Sequence, residues 1–151
     1  MRYFDHIDIQ KIPDEHPVAV FNSLWKTLEA EHKPVPWKAV KPEAAATAIP
    51  WLLLLEPQAD GRYYYRICGT GCEMLFGRPH EGGFFGEDIP KEALDKRHAE
   101  FDRIQAGCAP LLSETTLPME GKENTEIYRG VFGFTSDGEE VDKIGVVIAP
   151  K

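Results

Sequence analysis

Residues 51–68 constrain the fold more than any other stretch, because together they have the pattern of a β-hairpin. Residues 51–56 form a short apolar run of the kind that buried strands have. Asp60-Gly61 supplies a strong turn signal, and residues 62–68 then alternate as a strand with two different faces does. The residues predicted to face the core are Tyr63, Tyr65 and Ile67, and those predicted to face solvent or a partner are Arg62, Tyr64 and Arg66. The chain is therefore expected to build a sheet that contains this antiparallel pair.

Before the hairpin, residues 17–32 predict a helix with one apolar face. Pro17 suits the first turn of a helix, whereas Pro34 cannot continue one. Between these two prolines, apolar residues recur every three or four positions, which is the helical period. The apolar face consists of Val18, Phe21, Leu24, Trp25 and Leu28. The alanine-rich residues 42–48 predict a second, short helix that Pro50 ends.

After the hairpin, the chain predicts a short helix, a glycine-rich loop, a long helix and three strands. Thr70 is the expected N-cap of the short helix over residues 71–76, and Gly77 is its expected C-cap. Residues 91–106 have the spacing of the longer helix, which Gly107 ends. The strand candidates are residues 109–117, 126–135 and 140–149, and the turn residues Ser136-Asp137-Gly138 separate the last two. This mixture of helices and strands predicts an α+β fold.

The order of these elements, two strands, then helices, then three strands, resembles the PAS fold. The local sequence is similar to a group of small bacterial PAS-like domain proteins, the PAS_5 group. The residues that carry the resemblance are Leu24-Trp25, 37–42, 49–56, 61–70 and Phe76-Gly77-Arg78, with weaker matches at Gly82, Arg129 and Ser136-Asp137-Gly138. The resemblance implies a five-stranded antiparallel sheet with flanking helices and an N-terminal helical extension. It divides the chain into a tail (1–16), the extension (17–50) and a PAS-like domain (51–149), the last two forming one structural unit.

Composition narrows the function classes. A chain of 151 residues is the size of one domain, and its net charge of −8 repels nucleic-acid phosphates. The longest apolar run, residues 49–55, is too short to span a membrane. Three cysteines without a framework spacing favour a reduced, cytoplasmic protein.

The resemblance implies a stand-alone sensory or regulatory protein that binds a small ligand, a signalling partner or both, without catalysis. The candidate cavity residues are Tyr63, Tyr65, Phe76, Phe85, Phe101, Tyr128 and Phe132, since aromatic side chains line many ligand pockets. The same residues would also fill a solid core. The candidate partner-binding residues are Leu24, Trp25, Arg62, Tyr64 and Arg66. The N-terminal helix is expected either to pack on the sheet or to form a homodimer, and output is expected through a separate signalling protein.

Two alternatives stay open at this stage. The first is a pure protein–protein interaction module with a solid core and no ligand. The second is a small isomerase- or hydratase-like enzyme on a curved sheet, which would need an acid or base among interior residues that are aromatic or aliphatic. No nucleophile motif, phosphate loop or zinc spacing occurs, so no catalytic residue, metal site or cofactor is predicted. His98 is the one candidate haem ligand, because haem-binding PAS domains use a histidine on the corresponding helix.

Overall fold

The computed structural model describes residues 5–87, 89–107, 109–117 and 121–151. These residues form an antiparallel sheet with three α-helices, which confirms the predicted α+β class. The helices are α1 (Pro17–Glu31), α2 (Thr70–Phe76) and α3 (Lys91–Gln105). The strands are β1 (Asp5–His6), β2 (Leu52–Pro57), β3 (Tyr63–Cys68), β4 (Leu111–Thr116), β5 (Glu126–Phe134) and β6 (Lys143–Pro150). Their order across the sheet is β1-β4-β5-β6-β2-β3, so the five long strands form the predicted sheet and the two-residue β1 adds a short edge.

The sheet is covered on both faces, and each face has its own hydrophobic core. On one face, α1 and the segments around it bury Phe21 and Trp25 against Phe132 and Phe134. On the other face, α2, α3 and the loop between them cover a core that includes Phe101. We call these the α1 face and the α3 face.

This division corrects the expectation that all the candidate cavity aromatics converge. Tyr128 and Phe132 lie on the α1 face, where Phe132 meets Phe21 edge-on with ring centroids 4.9 Å apart. The reason is the two-residue period of a strand, which sends Tyr128 and Phe132 to one face of β5 and Ile127, Arg129 and Val131 to the other.

A β-bulge corrects the predicted alternation of β3. Leu54 pairs with Ile67 and Leu55 pairs with Tyr65, so Arg66 is an extra residue on its strand. The bulge reverses the alternation, and Cys68 rather than Ile67 joins Tyr63 and Tyr65 in the core of the α3 face. The predicted helix cap is also displaced by one residue, because Gly69 rather than Thr70 is the N-cap of α2.

The N-terminal helix packs on the sheet of its own chain. The Trp25 indole N–H donates a hydrogen bond to the Gly133 carbonyl at 3.0 Å. At the start of α1, His16 Nδ1 accepts from the Val18 N–H (3.1 Å), and its Nε2 bonds the Pro150 carbonyl (3.0 Å) at the end of β6. The apolar face of α1 is therefore covered within the chain, and the buried Trp25 is not exposed for a homodimer contact.

Two other N-terminal segments differ from their predicted forms. Residues 42–48 form hydrogen-bonded turns instead of a helix, since a segment this short gains few hydrogen bonds for the cost of nucleation. Residues 5–16 of the predicted tail pack on the sheet, where Ile12 is buried and the Ile7 N–H donates to the Leu112 carbonyl at 2.9 Å. None of the helices in the described part of the chain combines the length and the apolar character needed to cross a bilayer.

Candidate functional site

A small cavity of about 40 Å³ lies between the α3 face of the sheet and the helices and loop that cover it. Most of its wall is apolar, with side chains from β2, β6 and the loop after α2. Three of the predicted cavity residues line it, namely Tyr65, Phe76 and Phe85. Its polar lining also includes His80, Arg97 and Arg129. A mainly apolar lining with a few convergent polar groups is shared with small-molecule sites, whose volumes are typically about 300–1,000 Å³, so this cavity has room only for a small chemical group.

Two further predicted residues, Tyr63 and Phe101, lie behind this wall rather than in it. Their rings are 4.9 Å apart, and Phe85 packs on Phe101 with ring centroids 5.1 Å apart. The Tyr63 hydroxyl donates to Gln105 Oε1 at 3.1 Å. These two residues therefore support the residues that line the cavity without lining it themselves.

Three charged side chains are buried beside the cavity. Glu100 and Arg129 are each 2% exposed, and Arg97 is 3% exposed. Arg129 Nη1 donates to Glu100 Oε1, and the His6 ring nitrogen Nε2 lies 3.1 Å from Glu100 Oε2. The cluster thus joins α3 to β5 and to the short edge strand β1.

The register of the sheet explains why these groups meet. Ser113 on β4 lies between His6 on β1 and Arg129 on β5, as the cross-strand partner of both. Glu100 reaches this polar row from α3, which crosses the same face of the sheet.

The cluster is charged at neutral pH. Burial alone would raise the pKa of Glu100, but Arg129, the hydrogen bond from His6 and the nearby Arg97 together hold that pKa at about 2. Burial lowers the pKa of Arg97 to about 9, and the neighbouring charge of Arg129 acts in the same direction, while Glu100 opposes both. The positive charges of Arg97 and Arg129 therefore repel each other in a poorly solvated space.

Arg129 has hydrogen-bonding capacity that the described residues do not use. Its Nη2 is buried and finds no hydrogen-bond partner among them, although the same side chain borders the cavity. A buried charged donor without an acceptor is costly, so such groups in native proteins call for an explanation. A ligand or an ordered water in the cavity would supply the missing acceptor.

Sequence reasoning missed Arg97 and Glu100, although the sequence holds a signal for both. One side of α3 has residues at helical spacing that are apolar except for two charged ones. These residues are Ala93, Arg97, Glu100, Phe101 and Ile104. Charged side chains in the core-facing stripe of a helix are rarely buried without partners.

The candidate partner residues divide into two separate groups. Arg62 lies over the Phe84 ring at 3.9 Å, and Tyr64 meets the same ring edge-on. Arg66 is exposed and pairs with Glu56 at 3.3 Å. Tyr64 and Arg66 lie on β3, an edge strand of the sheet, and Arg62 directly precedes it. Trp25 and Leu24 belong to α1 instead, where Trp25 is buried in the core of the α1 face and Leu24 is partly buried beside it.

The other reactive side chains lie outside the cavity. His98 is half-buried against Tyr63, with ring centroids 5.2 Å apart, and lines a surface groove near the β2–β3 turn. It does not face the cavity, whose volume of about 40 Å³ is far below that of haem, so the residues present do not fit this cofactor.

The described cysteines and possible metal ligands add no second site. Burial raises the pKa of the thiols of Cys68 and Cys72, which keeps them protonated, and Cys108 lies outside the described residues. Within the ranges that the structure describes, no three His, Cys, Asp or Glu side chains form a metal-binding group.

Comparison with models of protein families, with curated proteins and with solved structures found no match to this chain.

Proposed function

We propose that this protein is a PAS-like regulatory protein that binds a small ligand in the cavity on the α3 face. The observation that carries the proposal is Arg129, a buried cation on the cavity wall whose Nη2 has no hydrogen-bond partner among the described residues. Such a group adds little stability to a core, because proteins in which hydrophobic residues replace a buried ion pair are often as stable as the original or more stable. A ligand that satisfies the group accounts for its position.

The order of elements supports the PAS-like part of the proposal. The resemblance predicts two strands, then helices, then three strands, and this is the order of β2 and β3, α2 and α3, and β4 to β6. Three of the candidate cavity residues, Tyr65, Phe76 and Phe85, line the cavity between the sheet and the helices, which supports a ligand site there. In this proposal the protein binds without catalysis and passes its signal to a separate partner in the cytoplasm.

A second candidate function is protein–protein interaction alone. It is favoured by the surface group that Arg62 and Tyr64, at the start of the edge strand β3, form with Phe84 from the loop after α2. Arg62 is exposed and the two aromatic residues are partly exposed, and arginine and tyrosine are common at the centres of interfaces. The two functions are compatible if this surface contacts the partner and the cavity controls that contact.

A matched pair of variants on β6 tests ligand binding in the cavity. Val146 lines the cavity, and Val147, its neighbour, is buried on the α1 face. Val146→Ile and Val147→Ile each add one methyl group to a buried position, but only the first fills the cavity. A thermal-shift screen of small metabolites against the wild type is expected to find molecules that raise the melting temperature.

These molecules should bind Val146→Ile more weakly and Val147→Ile as strongly as the wild type. A screen without stabilising molecules, together with native mass spectrometry that finds only the bare chain, would leave the interaction module as the better function. Equal weakening by both variants would locate binding elsewhere.

A further inference from the structure

The unused half of the Arg129 guanidinium limits what can occupy the cavity. Its N–H groups only donate hydrogen bonds, and Nη1 is already engaged by Glu100. The occupant that satisfies Nη2 must therefore present an acceptor. Because the group is a buried cation, a negatively charged acceptor would form the strongest hydrogen bond with it. A planar carboxylate also matches the geometry of the guanidinium.

Arg97 strengthens this preference. It lines the same cavity, and it lies close enough to Arg129 for the two positive charges to affect each other. An anion beside Arg129 would offset that repulsion in a space where solvent screens it weakly.

The size of the cavity and its apolar wall limit the ligand further. At about 10–15 Å³ per water-sized sphere, a volume of about 40 Å³ holds about three or four non-hydrogen atoms. The rest of the lining is mainly apolar and includes Phe76, Phe85 and Val146, whose side chains offer an oxygen-rich ion such as phosphate no hydrogen-bond donors. A carboxylate directs its oxygens to Arg129 and its hydrocarbon part to this wall.

From these observations we propose that the cavity binds the carboxylate group of a small organic acid, held by Arg129 with Arg97 beside it. The carboxylate belongs either to a free short-chain acid of about the size of acetate or to the end of a longer molecule. This inference rests on the proposed function, of which it specifies the ligand class.

Sodium acetate and acetamide are the probes that test it, because they have nearly the same shape and differ in charge. The full-length protein is titrated with each at constant ionic strength in chloride, and binding is followed by calorimetry and by the melting temperature. Acetate is expected to bind and to raise the melting temperature with concentration, whereas acetamide is expected to do neither. A series from formate to hexanoate then separates the sources, since affinity that rises with chain length indicates the end of a longer molecule.

Arg129→Lys is the decisive variant. It keeps the positive charge opposite Glu100 but removes the planar fork, so we expect it to weaken acetate binding at least about tenfold, or about 1.4 kcal/mol. Arg103→Lys is the matched control, since Arg103 is exposed on α3, and it should bind as the wild type does. If Arg129→Lys does not fold, the double variant Arg129→Met with Glu100→Gln removes the charges together and should also lose binding.

The outcomes separate this inference from the proposed function. Binding of acetate and acetamide with equal affinity, or acetate binding that survives the loss of Arg129, overturns the carboxylate assignment. If neutral molecules bind and Val146→Ile weakens them, the cavity is still a ligand site and only the ligand class is wrong. If neither anions nor neutral molecules bind, the cavity holds water alone and both proposals fail.

Discussion

Replacing Glu100 by glutamine tests how much the buried ion pair of Glu100 and Arg129 contributes to the stability of the protein. The change preserves the shape of the side chain and an oxygen that can accept from Arg129, but it removes the negative charge. Arg129 would then be a buried cation without its counter-ion. We expect Glu100→Gln to be clearly less stable than the wild type at pH 7.

Two estimates give the size of the effect. The pKa of Glu100 falls from an ordinary 4.5 to about 2 in the folded protein. At about 1.4 kcal/mol for each tenfold change in proton affinity, this difference corresponds to about 3 kcal/mol of stability. Breaking a buried ion pair by removing one partner costs about 3–5 kcal/mol in other proteins, which is the same range.

The pH dependence follows from the direction of the shift. Because the pKa of Glu100 is lower in the folded chain than in the unfolded one, its contribution is complete above about pH 4.5 and is lost as the pH falls towards 2. The stability difference between the wild type and Glu100→Gln should therefore be about 3 kcal/mol at pH 7 and should nearly vanish near pH 2. Other acidic groups also titrate in this interval, but they contribute equally to both proteins.

Urea unfolding followed by tryptophan fluorescence, repeated between pH 7 and pH 2, measures this difference. Glu43→Gln is the control, since Glu43 is exposed and its replacement should change the stability by less than about 0.5 kcal/mol. The double variant Glu100→Gln with Arg129→Met should recover much of the loss, because it removes both charges. A Glu100→Gln protein as stable as the wild type at pH 7, with the same dependence on pH, would refute the reasoning.

Two glycines provide a matched test of close packing. A methyl group at Gly69 would lie 2.4 Å from a backbone carbonyl oxygen of the turn before β2, so Gly69→Ala is expected to lower the free energy of unfolding by about 1–3 kcal/mol. At Gly83 the nearest atom would be 3.4 Å away, so Gly83→Ala should lower it by less than about 0.5 kcal/mol in the same urea assay. Phe132→Ala should cost about 3–5 kcal/mol if the α1 face is a true core, while the exposed Met74→Ala should be nearly neutral; comparable losses would contradict the two-core description. Cys72 is buried with a raised pKa, so iodoacetamide at pH 8 should label it, by peptide mass spectrometry, only after unfolding in urea, and rapid labelling of the native protein would show that the site opens.

Several parts of the fold follow from local sequence patterns. The apolar run and the Asp60-Gly61 turn predict the β2–β3 hairpin, and the structure places β2 and β3 within one residue of the predicted bounds. The predicted helix over residues 17–32 appears as Pro17–Glu31, since Pro17 and the spacing of its apolar residues act within the segment itself. Such signals are reliable because they depend on neighbours along the chain.

The candidate site depended on contacts that no local pattern contains. Glu100 and Arg129 are separated by 29 residues, and each lies in a segment whose neighbouring residues predict ordinary secondary structure. Only the crossing of α3 over β5 makes them a pair, and only the position of β1 adds His6 to it. The segregation of Phe132 from Phe85 likewise needed the sheet, which has two covered faces instead of one.

By itself, the sequence determined the α+β class, the hairpin over β2 and β3 and the main helices, because periodicity and turn chemistry act over a few residues. The tertiary structure decided which aromatic residues face the cavity and which charges are buried together. It also decided where the bulge at Arg66 reverses the alternation of side chains along β3. These features arise when distant segments meet, and their free energies come from burial and charge pairing between those segments.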